Sequence, residues 1–290
     1  MATNVEIDYR EPTTVSEACE VLGLHEGAKA VAGGTAVVLM MQQGLLLPEV
    51  LVSLRNIDGL SNVAATDDLI TIGSAVTLQK IANSPLLLER TPSLARACGL
   101  VGNVRVRNAA TLGGNLAEAD YASDPPAVLA GLDATVVVES GRGERRIAAR
   151  DLVTGFYETA LEHDEIITRI EVRPLGPDER AVYLKYVSRS SEDRPCVGVA
   201  ARAKFSDQLV DELSIVVGAV ASSPQRLDDV EGQAVGARLE TDLIERLADA
   251  YSQGISPLED ARGSVWYRKR MIRVFVKRAL EGLVTNEAVS

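Results

Sequence analysis

The feature that most constrains this chain is a pair of widely separated glycine loops. The first, Gly33-Gly34-Thr35, follows a short apolar strand, Lys29-Ala30-Val31-Ala32, and precedes an apolar helical stretch over about 36–44. Glycine at such a corner takes positive φ without steric cost, and its missing side chain lets a ligand reach the backbone. Free N–H groups at the start of the following helix favour a phosphate. A plain turn would satisfy the same pattern. The second loop, Thr111-Leu112-Gly113-Gly114-Asn115, lies in a polar stretch from Arg107 that fits neither the helical nor the strand period. It sets a hydroxyl, two glycines and an amide within five residues. Two such loops can clamp the pyrophosphate of one dinucleotide, or they can be unrelated turns. Neither matches the fingerprint of three spaced glycines or the phosphate loop ending in Lys-Ser/Thr.

Asp124 follows the second loop and stands directly before Pro125-Pro126, which open a short helix reaching Leu132. A carboxylate there either caps the helix or accepts hydrogen bonds from ribose hydroxyls. Asp120 is a less well placed candidate for the same task.

Around the first loop, helical periodicity over 14–24 and a strand over 50–54 complete a helix–strand–loop–helix–strand unit, which implies a small parallel sheet. A hairpin over 61–65 and 69–73 follows, and Thr77 caps a helix over 78–82. A further helix is expected over 93–98, a second hairpin over 134–139 and 145–148, and a strand over 165–172. Arg173-Pro174-Leu175-Gly176-Pro177-Asp178 then breaks the pattern and marks a connector. We divide the chain there into 1–175, with parts of about 1–57 and 58–175, and 180–290. The second unit reads as three antiparallel strands (181–188, 197–205 and 209–220) carrying helices over about 240–253 and 264–283.

The formal net charge of −11 argues against a nucleic-acid partner. No apolar run approaches the roughly 20 residues of a transmembrane helix, and Met1-Ala2-Thr3-Asn4-Val5-Glu6 does not resemble a secretory leader, so a cytoplasmic protein is expected. Cys19, Cys98 and Cys196 are too scattered for a metal or iron–sulfur site, and the only histidines, His25 and His163, make a poor triad or zinc site. No catalytic residue and no metal ligand is assigned. The last helix carries Arg268, Lys269, Arg270, Arg273, Lys277 and Arg278. That run is either a solvated basic face or a docking site for a partner subunit or a phosphate.

Ala32-Gly33-Gly34-Thr35-Ala36 is similar to the first FAD loop of the flavoprotein medium subunits of molybdenum hydroxylases, the carbon monoxide dehydrogenase and xanthine dehydrogenase type. Thr111-Leu112-Gly113-Gly114-Asn115 resembles their second FAD loop. Tyr9-Arg10-Glu11-Pro12, Arg107-Asn108, Glu165-Ile166-Ile167 and the closing helix with Tyr267-Arg268 also match, so the resemblance spans essentially the whole chain. It implies an α+β fold: a two-part α/β FAD-binding domain, like that of vanillyl-alcohol oxidase, before a domain with a three-stranded antiparallel sheet and helices. It implies noncovalent FAD held by backbone from Val31 through Ala32, Gly33, Gly34 and Thr35 to Ala36, and by Thr111, Leu112, Gly113, Gly114 and Asn115. Asp124 would bind ribose, Ile167 would pack against the isoalloxazine, and Lys185 would reach the flavin across the domain interface. The molybdenum cofactor and 2Fe–2S clusters would sit on a large and a small partner subunit, in a dimer of heterotrimers. The chain would take electrons from the clusters and pass them to NAD, a quinone, oxygen or another acceptor. Association with the inner face of the membrane is left open. Asn103 and the segment 190–195 depart from the family pattern, which leaves the acceptor undetermined. The rival readings are a stand-alone flavin oxidase or reductase and a nonenzymatic assembly protein on the same fold.

Overall fold

The computed structural model describes residues 7–285, and the N-terminal hexapeptide read above for a leader lies outside the described residues. The chain opens with β1 (Asp8–Arg10), α1 (Val15–Leu24), β2 (Ala28–Val31), α2 (Val37–Gln42) and β3 (Val50–Ser53). The strands form a parallel sheet in the order β1-β3-β2. Thr14 caps α1 by accepting from the Glu17 amide at 3.2 Å. The buried side of α1, Ala18, Cys19 and Leu22, packs with Val50 and Val52. β1 escapes sequence reading because its three side chains are all exposed and leave no burial pattern.

Next come the β4 (Val63–Ala65) and β5 (Ile70–Gly73) hairpin and six short helices: α3 (Leu78–Ala82), α4 (Pro85–Arg90), α5 (Pro92–Gly99), α6 (Val104–Ala109), α7 (Leu112–Glu118) and α8 (Pro125–Gly131). A second hairpin, β6 (Thr135–Ser140) and β7 (Gly143–Ala148), precedes α9 (Ala149–Leu152), a small ribbon of β8 (Val153–Gly155) and β9 (Glu158–Thr159), and β10 (Ile166–Val172). β10 inserts between the two hairpins and makes one antiparallel sheet, β4-β5-β10-β6-β7. Ile70, Ile72, Val136, Val138 and Ile170 alternate onto one face and share a core with α3, α4, α5, α7 and α8.

The stretch 107–115, expected to be irregular, is helical on both sides of Ala110. Asn103 caps α6, its Oδ1 accepting from the Arg105 and Val106 amides at 3.0 and 3.1 Å. Each of these helices is two turns or shorter, too little for a period to register, and paired glycines lower the propensity of α7.

The last unit holds β11 (Glu179–Tyr186), β12 (Val197–Ser206), β13 (Leu209–Gly218) and β14 (Gln225–Arg226), followed by α10 (Asp228–Glu231), α11 (Thr241–Gly254) and α12 (Val265–Thr285). The sheet has four strands, not the three expected, because the two-residue β14 pairs with the free edge of β13. Strand alternation divides its faces. Val199, Ala201, Ala203, Ile215 and Val217 pack with α11 and α12. Tyr183, Ala200 and Val216 instead join the core beneath α8. The two units therefore share one hydrophobic interior. Arg202 rims the seam, bonding Asp133 at 2.6 Å and Glu179 at 3.0 Å.

The basic run on α12 is not one solvated face. Arg268 is fully buried. Its guanidinium donates to Cys196 O at 2.7 Å, to Ala219 O, and to Asp260 Oδ1 at 2.6 Å. A buried arginine persists only with its donors satisfied. Arg273 pairs with Asp249, and Lys277 lies 2.7 Å from Glu245. The three cysteines are all free and buried.

Candidate functional site

The first glycine loop leaves β2 and enters α2. Gly34 takes φ of 71°, a conformation that glycine adopts freely. Among the described residues, no protein acceptor meets the amides of Gly33, Gly34, Thr35 and Ala36. Backbone N–H groups normally find a partner, and a consecutive run of open ones is an anion cradle. α2 buries none of its residues, and Val38 and Leu39 are about half exposed.

The second loop is built differently. The amides of Leu112 and Gly113 donate to Val76 O at 3.0 Å and Ser74 O at 2.8 Å. Gly114 N donates to Thr111 Oγ1 at 3.1 Å. These donors are spent on holding the loop against the end of β5. What it offers outward is the exposed bare face of Gly114 and the side-chain amide of Asn115. Asn115 Oδ1 accepts from Ser123 Oγ at 2.9 Å, which fixes the amide and leaves its NH2 without a protein acceptor among the described residues.

The first loop meets the backbone that leads into the second. A Cβ on Gly33 would fall 1.9 Å from the carbonyl oxygen of Ala109, two residues before Thr111. Only glycine lets the first loop rest on the backbone that leads into the second. Val31, Ala32, Gly33, Gly34, Thr35 and Ala36 thus lie beside Thr111, Leu112, Gly113, Gly114 and Asn115 at the junction of the first two sheets.

Asp124 is not a helix cap: its side chain makes no capping hydrogen bond. It is instead 2% exposed, with Oδ1 accepting from the Tyr183 hydroxyl at 2.6 Å and Oδ2 from Lys185 Nζ at 3.0 Å. Lys185 also donates to Leu100 O at 2.7 Å, which leaves one ammonium hydrogen unspent. Burial pushes the Asp124 carboxyl up to about 6, against the lowering effect of Lys185 and Tyr183. Two of the sequence candidates, Asp124 and Lys185, are therefore brought together. Tyr183 was missed, although it lies two residues before Lys185 and so on the same strand face.

Ile167 is buried in the shared core, directly before a register shift in β10. Asp120 pairs with Arg194 at 2.7 Å, so the segment 190–195 folds over the end of α7. A cavity of about 470 Å³ lined by Ser188, Arg189, Arg194, Asp260 and Arg262 opens beside it. Among the described residues no group of three metal-binding side chains occurs, and no helix is long and apolar enough to cross a membrane.

Residues 4–174 match the model of the FAD binding domain in molybdopterin dehydrogenase, and residues 182–283 match the CO dehydrogenase flavoprotein C-terminal domain. The chain belongs to the FAD-binding medium subunits of the molybdenum hydroxylases. It is an oxidoreductase subunit with the α+β architecture of that family. This medium subunit is 33% identical to the nicotine 6-hydroxylase medium subunit of Paenarthrobacter nicotinovorans, over 94% of this chain and 96% of that protein. It is 29% identical to the glyceraldehyde dehydrogenase medium chain of Sulfolobus acidocaldarius, over 95% and 98%. Among solved structures, a chain of the carbon monoxide dehydrogenase from Hydrogenophaga pseudoflava superposes with a TM-score of 0.93 at 30% identity, covering 98% of this chain and 99% of that one.

Proposed function

We propose that this medium subunit takes electrons from the 2Fe–2S clusters of a small partner subunit and delivers them to an external acceptor, while a large partner subunit performs the hydroxylation on a molybdenum cofactor. The observation that carries this reading is the run of four open amides, Gly33 to Ala36, seated on the backbone that leads into the second glycine loop. It is a cradle shaped for a pyrophosphate, and it suits FAD. Bound FAD accepts electrons singly and releases them in pairs; the protein supplies position and electrostatics.

Each candidate has a task in this reading. Backbone from Val31 to Ala36 binds the pyrophosphate, and Thr111 to Asn115 form the opposite wall. Ile167 packs against the ring system. Asp124 keeps a spare lone pair on each oxygen, so a ribose hydroxyl would add to its Tyr183 and Lys185 bonds without replacing them. Lys185, with one ammonium hydrogen unspent, would hold positive charge near the flavin, where reduction adds electrons. Neither loop contains a histidine or cysteine, which supports noncovalent attachment.

The relatives are named for nicotine, glyceraldehyde and carbon monoxide, three chemically unlike substrates served by one fold. That diversity supports a substrate pocket on another polypeptide. We place the complex in the cytoplasm and assign it as a dimer of heterotrimers, with residues 1–175 as the FAD-binding domain and 180–290 as the C-terminal domain.

Purification from the native cell tests this. The expected result is a yellow chain that copurifies with molybdenum and iron–sulfur subunits and yields free FAD on acid precipitation. A yellow monomer that turns over a substrate alone would make it a self-sufficient oxidase. A colourless chain that cannot be reconstituted with FAD would leave only a structural role in assembly.

A further inference from the structure

Trp266 is the only tryptophan in the chain, and it is 68% exposed at the start of α12. One turn later, the Arg270 guanidinium stacks over its ring, 5.8 Å from the centroid. Val265 beside it is also exposed. On a helix, positions 266, 269, 270, 273 and 277 share one stripe, roughly 16 Å long. Its two ends differ in charge. Arg273 and Lys277 are neutralised by Asp249 and Glu245 of α11. Among the described residues, no carboxylate pairs with Lys269 or Arg270. The uncancelled positive charge therefore gathers around the indole, on a chain whose net charge is −11.

The platform under this patch is fixed. Arg268 pins the first turn of α12 to Cys196, Ala219 and Asp260. Tyr267 is hydrogen-bonded to Tyr186, and its amide donates to Ser264 Oγ at 3.3 Å. A rigid aromatic backed by arginine loses little freedom on binding, and these residue types dominate binding energy at protein interfaces.

We propose that Trp266 and Arg270 anchor a partner subunit that presents an apolar socket ringed by carboxylates. The charge complementarity fixes the chemistry of the occupant: Trp266 fills the socket, and Lys269 and Arg270 meet its acidic rim. This rests on the reading that the chain works within a complex. It narrows the docking surface to one end of α12 and removes Arg273, whose charge is already met.

The test coexpresses the chain with the other subunits of its complex and compares wild type with Trp266→Ala and Arg270→Glu. Both side chains are exposed and lie outside the glycine loops, so FAD content per chain serves as the control for folding. The expected result is a loss of about tenfold or more in retained partner subunit for each variant, with FAD content unchanged. Retention by the wild type should also weaken as salt rises. Wild-type retention by both variants overturns the proposal. So does a loss confined to self-association of this chain, or to its binding of anionic phospholipid vesicles. A wild-type chain that retains no other subunit overturns both this proposal and the reading it rests on.

Discussion

Asp124 and Lys185 are 61 residues apart in the chain and 3.0 Å apart in space, with side-chain exposures of 3% and 4%. They tie the helical layer of the FAD-binding half to the first strand of the last sheet. Tyr183 completes the contact from the same strand. A buried ion pair gains little over an apolar pair of equal volume, but removing one partner is costly. The contact therefore fixes how the two halves sit more than it adds stability.

The pH dependence of folding follows from Asp124. Its carboxyl rises from 3.8 to about 6 in the folded chain, chiefly through burial. Between these values the native state holds a proton that the unfolded chain releases, so this group makes stability fall as pH rises. The penalty is absent below 3.8 and complete above about 6. Asp124→Asn should flatten that slope by up to about 3 kcal/mol across the window. Urea midpoints of both proteins at pH 4 and pH 6.5 read the difference, and parallel curves would exclude Asp124 as its source.

Gly33→Ala should separate the two loops. The added carbon would sit 1.9 Å from Ala109 O, a backbone atom with nowhere to retreat. The variant should bind FAD at least about tenfold more weakly and lose about 1–3 kcal/mol of stability. Gly141→Ala is the matched control, because nothing lies within 4 Å of its new carbon. Its effect should stay within about 0.5 kcal/mol. Flavin fluorescence titration and thermal unfolding measure the pair.

Arg268→Met removes a buried cation from three backbone carbonyls, those of Cys196, Ala219 and Gly263, and from Asp260. The expected cost is about 3 kcal/mol in urea unfolding. Arg268→Lys should recover little, since an ammonium cannot reproduce the planar fork that reaches all four acceptors. Burial acts to raise the Asp260 carboxyl, but hydrogen bonds from Arg262 and Arg268 outweigh it and hold it well below the usual range. Its contribution is therefore complete above about pH 4 and is lost only as pH falls below that.

The cysteines should be silent in the native protein. Burial, then Glu139, pushes the Cys19 thiol up to about 11. Burial also raises Cys98 and Cys196. Since the thiolate is the reactive form, a disulfide reagent at pH 8 should modify almost none of them before unfolding and all three afterwards. A thiol that reacts within seconds in the folded chain would contradict this.

The sequence carried the parts of this architecture that leave a local mark. Gly33-Gly34, the prolines at 174 and 177, and the isoleucine-rich run of β10 each have a physical signature within a few residues. The order β4-β5-β10-β6-β7 has none, because a strand inserted between two earlier hairpins depends on distant pairings. Arg268 read as one of six surface cations, and only its carbonyl neighbours from other elements reveal an interior anchor. At the site, the glycines announced themselves through chemistry, whereas Tyr183 looked like an ordinary strand aromatic. The opposite behaviour of the two loops, one with open amides and one with its amides spent, depends on Val76 and Ser74, which no motif includes.

The seam also sets an order of events during synthesis. Both glycine loops leave the ribosome well before Tyr183 and Lys185. Until those residues arrive, Asp124 lacks both of its hydrogen-bond donors, and the apolar face under α8 has no sheet to cover it. The nascent chain thus has both glycine loops but not the strand that holds Asp124 in place. If Asp124 holds the cofactor as proposed, loading waits for the finished polypeptide, and a chain cut short after β10 should be released empty.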